Sequence, residues 1–105
     1  MESVTVHVHD WTYGRPAPGV RVMLRRPDGA HDLVAETDGT GGCRIDHDGD
    51  RGGTDCLIVI DVAQYFAALG IGASYTEVGI ACRRVESMAV TVKIAPFGHA
   101  IYLGR

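Results

Sequence analysis

Two histidines separated by a single residue are the first side chains in this sequence whose type and spacing indicate a possible chemical role. His7 and His9 lie in the stretch SVTVHVHD, where valines alternate with polar residues, so both imidazoles fall on one side. An imidazole changes charge near neutral pH and is a natural general base. The alternative is two solvated imidazoles on an exposed sheet surface. No carboxylate or thiolate joins them on that side, and we expect neither a metal nor another cofactor.

Three more groups, near the end of the chain, could bind or activate a substrate. Lys93 lies in AVTVKIAP and is either a surface lysine or an amine in a pocket, acting as a base, a nucleophile or a carboxylate clamp. Tyr102 is either a packing residue or a proton donor. Arg105 is either a loose terminal residue or a clamp for an oxyanion or a carboxylate.

The elements that must position these groups are mainly strands, because side chains alternate with a period of two along much of the chain. The predicted strands are 3–10, 19–25, 31–37, 43–46, 56–62, 76–83, 87–95 and 99–104. The turn signals that separate them are at 13–16, 27–29, 37–42 and 48–53, and a loop or ragged edge is expected over 37–55. Residues 61–70 indicate the one helix, capped by Asp61 and ended by Gly70. About seven or eight short strands with one short helix predict an all-β sandwich.

The totals exclude several classes of protein. At 105 residues the chain is predicted to form a single domain over 1–105, and its formal net charge of -3 argues against a nucleic-acid binder, which would carry a basic stripe. Nothing in the sequence resembles a signal peptide or a membrane span, so we expect a cytoplasmic protein without a membrane partner. Cys43, Cys56 and Cys82 lack the spacing of a metal site and are predicted to be reduced thiols.

Four stretches together resemble the transthyretin/5-hydroxyisourate hydrolase family in their order and spacing, over nearly the whole chain. The first, HVHDWTYGRPAPGVRVML, is similar to the family's His-Val-Leu-Asp, Gly-Arg-Pro-Ala and Gly-Val-x-Val elements. ETDGTGG is similar to its Thr-Asn-x-Asp-Gly-Arg turn, and DVAQYFAALGIGASYTEV to its Tyr-Phe helix with a Tyr-Pro-Glu-Val strand. The ending APFGHAIYLGR is similar to Ser-Pro-Phe-Gly-Tyr-Ser-Thr-Tyr-Arg-Gly-Ser.

The resemblance implies a transthyretin-like (prealbumin-like) sandwich of two sheets that assembles as a homotetramer, built as a dimer of dimers. It also implies a channel between the dimers, lined by the first strand and the last two. With that channel, alternation assigns to the lining Thr5, His7, His9, Thr91, Lys93, Ala100 and Tyr102. The residues on the opposite faces, which are predicted to form the core, are Val4, Val6, Val8, Met88, Val90, Val92, Ile94, Ile101 and Leu103.

The hydrolase site that the resemblance implies is only partly present. The family's first-strand histidine matches His7, but its turn arginine matches Gly42, with Arg44 two residues further on. Its His-Tyr-His motif before the penultimate strand matches 87–89, which read Ser-Met-Ala. Its ending Tyr-Arg-Gly-Ser matches 102–105, which read Tyr-Leu-Gly-Arg. The site has therefore lost several polar groups of the family and carries others.

We therefore predict a repurposed family member that performs acid–base chemistry on a small heterocyclic or carbonyl metabolite in the tetramer channel. Hydrolysis, cyclisation and isomerisation all fit, and a pathway of specialised metabolism would account for the changed site. The predicted catalytic residues are His7, Lys93 and Tyr102, and the predicted substrate contacts are His9, Arg44, Thr91 and Arg105. Clustered cations disfavour one another's charged forms, so one of His7 and Lys93 should be neutral near neutral pH, with His7 the expected base.

Two alternatives to this function stay open at the level of sequence. One is a genuine 5-hydroxyisourate hydrolase of purine catabolism with rearranged supporting residues. The other is a non-catalytic protein that keeps the fold as a carrier of small molecules. Retained binding without turnover would identify the carrier.

Overall fold

Nine strands and one short helix make up the part of the chain that the computed structural model describes, residues 2–25, 33–47, 55–83 and 87–104. In chain order they are β1 (Glu2–Asp10), β2 (Arg15–Pro16), β3 (Arg21–Arg25), β4 (Leu33–Glu36), β5 (Gly42–His47), β6 (Asp55–Asp61), α1 (Ala63–Ala68), β7 (Glu77–Arg83), β8 (Ser87–Ala95) and β9 (Gly98–Gly104). The turn predictions at 27–29 and 48–53 lie outside the described residues.

The strands form two sheets, as the sandwich prediction requires. In the first sheet the order is β2-β1-β8-β9, and β5 pairs with residues 2–7 of β1, ahead of the two residues that pair with β2. In the second sheet the order is β4-β3-β6-β7. Strands β1 and β8 are parallel, over eight residue pairs from Ser3↔Ser87 to Asp10↔Ile94. The predicted fold class, an all-β sandwich with one short helix, is confirmed.

The core lies between the two sheets and follows the alternation of the sequence. The inward-facing side chains of β1 and β8 are at most 6% exposed and are Val4, Val6, Val8, Met88, Val90, Val92 and Ile94. From the second sheet, β3 contributes Val22 and Leu24, while β6 contributes Ile58 and Ile60. In β1, β3 and β8 apolar residues stand at every second position, so burying one face leaves the other free to carry polar side chains, whereas β6 is apolar on both faces and also buries Val59.

Three local predictions differ from the structure. Leu103 was expected in the core but is 55% exposed, because β9 is the edge strand of its sheet and the facing sheet does not cover its end. The predicted turn at 13–16 includes the two-residue strand β2, which pairs with the end of β1. The helix is shorter than 61–70, since Val62 is its N-cap residue, although the Asp61 carboxylate still accepts a hydrogen bond from the Gln64 amide.

No helix among the described residues is long and apolar enough to cross a membrane.

A buried carboxylate fixes the end of β1, where the chain turns towards β2. Asp10 is fully buried, and its Oδ1 accepts hydrogen bonds from the backbone N–H groups of Thr12 and Tyr13 at 2.9 and 3.2 Å. Its Oδ2 accepts a 2.7 Å hydrogen bond from the Tyr65 hydroxyl of α1. Burial, helped by this carboxylate, raises the pKa of Tyr65 to about 12, so the hydroxyl stays a donor throughout the physiological range. The turn after β1 is thereby tied to the helix.

We expect Tyr65→Phe to destabilise the protein by about 2 kcal/mol, because a buried carboxylate oxygen loses its donor while the ring still fills its space. Urea denaturation followed by circular dichroism measures the change in the free energy of unfolding. The matched control is Tyr13→Phe, which removes the hydroxyl of a tyrosine that is 53% exposed and should change stability by less than about 0.5 kcal/mol. Equal stability of the two variants would show that the Asp10–Tyr65 contact does not hold the turn.

Candidate functional site

The outward face of the first sheet carries a row of polar side chains on three neighbouring strands. Across the parallel β1–β8 pair, His7 is opposite Thr91 and His9 is opposite Lys93. Across the antiparallel β8–β9 pair, Thr91 is opposite Tyr102. Directly opposed residues of paired strands point to the same side of a sheet, so these five side chains share one face. The structure therefore brings the predicted catalytic residues onto a single surface.

A cavity of about 350 Å³ opens on this face. It is lined by His7, Val8, His9, Trp11, Thr40, Thr91 and Lys93. Four predicted site residues thus meet in one concave space, and Tyr102 lies beside it. The presence of an imidazole, a hydroxyl and an ammonium in one small cavity is the arrangement that proton transfer on a polar ligand requires.

The Lys93 ammonium lies close to the faces of two aromatic rings. Its Nζ is 5.7 Å from the centre of the Trp11 ring and 5.5 Å from the centre of the Tyr102 ring. Both distances are within the range in which the negative face of a ring attracts a cation. Among the described residues, no carboxylate lies within 4.0 Å of this Nζ. Within the part of the chain that the structure describes, the ammonium is therefore positioned without a carboxylate partner.

The His7 imidazole packs against the backbone of Gly42, its partner across β1 and β5. A Cβ built on Gly42 would lie 2.8 Å from His7 Nε2 and 3.1 Å from His7 Cδ2, closer than side chains pack. The backbone of Gly42 itself does not require glycine, because its φ is not in the left-handed region. The missing side chain at this position is what lets the imidazole lie where it does.

A short turn between β4 and β5 adds a hydroxyl beside the imidazole. Asp38 Oδ1 accepts hydrogen bonds from the Thr40 hydroxyl at 2.6 Å, from the Thr40 amide at 2.9 Å and from the Gly42 amide at 3.3 Å. The Thr40 hydroxyl bond is the largest cause that lowers the pKa of Asp38, followed by the two amide bonds. Since the hydroxyl donates its proton to Asp38, its oxygen is left as an acceptor towards the cavity.

Two predicted substrate contacts lie elsewhere or beyond the description. Arg44 is on the same face of β5, opposite Thr5, but its Nε donates a 2.8 Å hydrogen bond to Asp46 and it does not line the cavity. Its contact with a substrate therefore stays a prediction. Arg105 lies outside the described residues.

The described cysteines are not reactive thiolates, and the described residues do not form a metal site. Burial, with a smaller effect from Asp38, raises the pKa of Cys43 to about 11, so the thiol is not ionised at neutral pH. Cys56 is buried on β6, as predicted for a small core residue. The described residues contain no group of three or more His, Cys, Asp or Glu side chains placed to hold a metal ion.

Sequence reasoning missed three of the cavity residues, Val8, Trp11 and Thr40; Val8 had been assigned to the core, where its side chain is indeed buried. Trp11 was not among the predicted site residues, yet it lines the cavity, while the ring of Tyr13 in the same turn pairs with Arg15 at 5.2 Å. The signal for Trp11 was available, because position 11 continues the odd-numbered row of His7 and His9. Thr40 carries no comparable local signal, since only the pairing of β5 with β1 brings its turn to the histidine.

A second described cavity, of about 340 Å³, lies near α1 and is a weaker candidate. Its charged lining residues are Arg15, Arg21, Glu36 and Asp61. Two cations and two carboxylates compensate one another, and no imidazole lines this space. We therefore place the candidate site on the outward face of the first sheet.

The two sheets, the short helix and the site on the outward face of β1, β8 and β9 define a transthyretin-like sandwich. The chain belongs to the HIUase/transthyretin family, whose sequence model matches residues 4–104. None of the curated proteins matches the sequence significantly.

Solved structures agree with this assignment. The 5-hydroxyisourate hydrolase of Klebsiella pneumoniae superposes with a TM-score of 0.86 at 24% identity, covering 99% of this chain and 100% of that one. Transthyretin from Sparus aurata gives 0.80 at 17% identity, covering 96% and 95%. An (S)-allantoin synthase gives 0.77 at 20% identity over 97% of this chain, which spans 43% of that protein. At these identities the likeness establishes the fold alone.

The contact between His7 and Gly42 gives a prediction with a matched pair of variants. In Gly42→Ala the new methyl group must displace the imidazole, while the strand backbone accepts alanine, so stability should change by less than about 1 kcal/mol. In Gly41→Ala, φ is +80° and the Cβ would lie 2.5 Å from the Val8 carbonyl oxygen, so stability should fall by about 2 kcal/mol or more.

Thermal unfolding and the imidazole signals of His7 in NMR spectra measure these two effects separately. Gly42→Ala should move the His7 signals with little change in Tm, whereas Gly41→Ala should lower Tm. Unchanged His7 signals in Gly42→Ala would contradict the proposed contact.

Proposed function

We propose that this chain is a repurposed family member that performs acid–base chemistry on a small heterocyclic or carbonyl compound. The observation that carries the proposal is the shared cavity of His7, Lys93 and Thr91 on one sheet face. An imidazole that can take a proton and an ammonium that can hold an anion are complementary tools for hydrolysis, cyclisation or isomerisation. The place of the reaction in specialised metabolism stays a prediction.

In this proposal His7 is the general base. Its imidazole is exposed at the surface of the first sheet and packs against Gly42, so its orientation is set by contact rather than by chance. The Thr40 hydroxyl, held by Asp38, can hold either the imidazole or a substrate donor in place. A base with a fixed orientation gains from proximity to the reacting atom.

Lys93 serves as a clamp for an anionic group of the substrate rather than as a nucleophile. The faces of Trp11 and Tyr102 attract a cation at this position, which suits a group that holds an anion. His9, opposite Lys93 on β1, contacts the same end of the substrate. Tyr102 remains the proposed proton donor to the reacting group.

The catalytic unit in this proposal is a homotetramer whose channel is lined by the outward faces of β1, β8 and β9. Two features support it. Strand β9 is an edge strand, and Tyr102 on its outward face and Leu103 on its opposite face are both 55% exposed, so apolar side chains are left uncovered on both sides of this edge. The polar row continues across three strands, as expected for a surface that faces another copy over a solvent-filled space. The cytoplasmic location stays a prediction.

The second candidate function is hydrolysis of 5-hydroxyisourate itself. The superposition with the Klebsiella enzyme over nearly the whole chain, together with the retained His7, favours it. Against it, Gly42 and Ala89 stand where the family's arginine and histidine are expected from the motif match. A carrier without turnover, which the likeness to transthyretin suggests, is the third candidate.

An assay on freshly generated 5-hydroxyisourate separates these functions, with the Klebsiella enzyme as the reference. We expect weak turnover, at least about 10²-fold below the reference, because positioned acid–base and oxyanion groups are missing. His7→Ala should remove the remaining turnover, and Lys93→Met should mainly raise KM, by about tenfold. His99→Gln, on β9 and packed against Tyr75 at 5.6 Å, is the matched control and should leave both constants unchanged.

The outcomes of this assay are distinct. Turnover at the reference rate would identify a genuine 5-hydroxyisourate hydrolase, and no turnover with retained binding would favour the carrier. A loss of kcat rather than a rise in KM in Lys93→Met would assign lysine as the nucleophile, which borohydride trapping of an adduct would confirm. Light scattering should give a tetramer for the wild type and for every variant; a monomeric wild type would remove the channel from the proposal.

A further inference from the structure

The rings beside Lys93 have exposed surface that the protein leaves uncovered. Trp11 is 56% exposed and Tyr102 is 55% exposed, although aromatic rings of this size are usually covered. Each holds the same ammonium, at 5.7 and 5.5 Å, and neither contact neutralises its charge. A cation flanked by two open ring surfaces is a place where a ligand can meet a charge and a flat apolar surface together.

Hydrogen bonds hold the backbone at Trp11 and in the turn that follows it. The Trp11 amide donates a 2.8 Å hydrogen bond to the Ile94 carbonyl oxygen, next to Lys93 in the chain. The preceding residue, Asp10, is fully buried and holds the turn through Thr12 and Tyr13. Little conformational freedom of the backbone remains to be lost when a ligand stacks on the ring, so stacking contributes more of its energy to affinity.

The size and the polar lining of the cavity restrict what can occupy it. Its volume of about 350 Å³ is at the small end of ligand cavities and admits a molecule of one ring. Apart from the cation, the polar side-chain groups of the lining are two imidazoles, of His7 and His9, two hydroxyls, of Thr40 and Thr91, and the indole N–H of Trp11. These groups can donate to or accept from ring substituents without adding an opposing negative charge.

We propose that Trp11 and Lys93 together form a recognition site for a planar, anionic, single-ring ligand, whose ring stacks on the indole and whose carboxylate or enolate pairs with the ammonium. This inference deepens the proposed function, on which it depends only for calling the ligand a substrate. Trp11 is then the residue that determines specificity, because it distinguishes flat rings from puckered ones. Lys93 distinguishes anions from neutral molecules.

Three probe molecules separate the two requirements. Benzoate is planar and anionic, cyclohexanecarboxylate is anionic but puckered, and benzamide is planar but neutral. Calorimetric titration of the full chain gives the affinities, and the fluorescence of Trp11, the single tryptophan of the sequence, reports contact with the ring. We expect benzoate to bind about fivefold more tightly than cyclohexanecarboxylate and about tenfold more tightly than benzamide.

Each requirement has its own variant. Trp11→Leu should reduce benzoate to the affinity of cyclohexanecarboxylate, and Lys93→Met should reduce it to that of benzamide. Tyr13→Leu is the matched control, since Tyr13 is an equally exposed ring in the same turn that pairs with Arg15 outside the cavity. It should leave all three affinities unchanged.

The proposal is overturned if benzoate and cyclohexanecarboxylate bind equally well, if Lys93→Met retains the preference for anions, or if none of the probes binds. Failure of the proposed function gives a different result. If the chain binds the probes in the expected pattern but turns over no substrate, the recognition site is supported and the catalytic assignment is contradicted. If turnover depends on His7 but planar and puckered probes bind equally well, His7 is still the base and Trp11 does not determine specificity.

Discussion

The parallel pairing of β1 with β8 is the constraint on which the site depends. Its register places His7 opposite Thr91 and His9 opposite Lys93, while the intervening valines and Ile94 enter the core. A shift by one residue would turn every side chain of one strand to the other face and bury an imidazole or an ammonium. The burial of the valines therefore fixes the polar row as firmly as it fixes the core. Stability and the geometry of the candidate site are set by the same contacts.

Both ends of the site are completed by connections outside this strand pair. At one end, the Asp10 carboxylate holds the turn that carries Trp11 and ties it to Tyr65 of the helix. At the other, β5 returns alongside β1 and presents Gly42 to the imidazole of His7. The imidazole of His7 lies against the backbone of Gly42, with the Asp38 carboxylate interacting with it electrostatically, and the ammonium of Lys93 lies near two aromatic rings. Among the described residues, neither group forms an ion pair with a carboxylate.

Alternation along the sequence was sufficient to predict the fold class. It placed His7, His9, Thr91, Lys93 and Tyr102 on the non-core faces of their strands, and the resemblance to the family placed those strands side by side, so that the five residues share one face. It failed where the pairing of strands distant in sequence determines which residues come together. The position of Thr40 and the room that Gly42 leaves for His7 follow from the β1–β5 register, which no local pattern contains. Leu103 is exposed because β9 is an edge strand. The sequence of β9 does not show which strands will pair with it or cover it.

In the proposed site, the imidazole of His7 and the aromatic–cation pair of Trp11 and Lys93 contact the same ligand. The most direct test follows the imidazole nitrogen and carbon signals of His7 by NMR while benzoate is added. We predict that the His7 signals shift and saturate with the same Kd as the quenching of Trp11 fluorescence, and that neither change occurs in Lys93→Met. Quenching of Trp11 with stationary His7 signals would contradict the account, because the ligand would then occupy a surface that the base does not share.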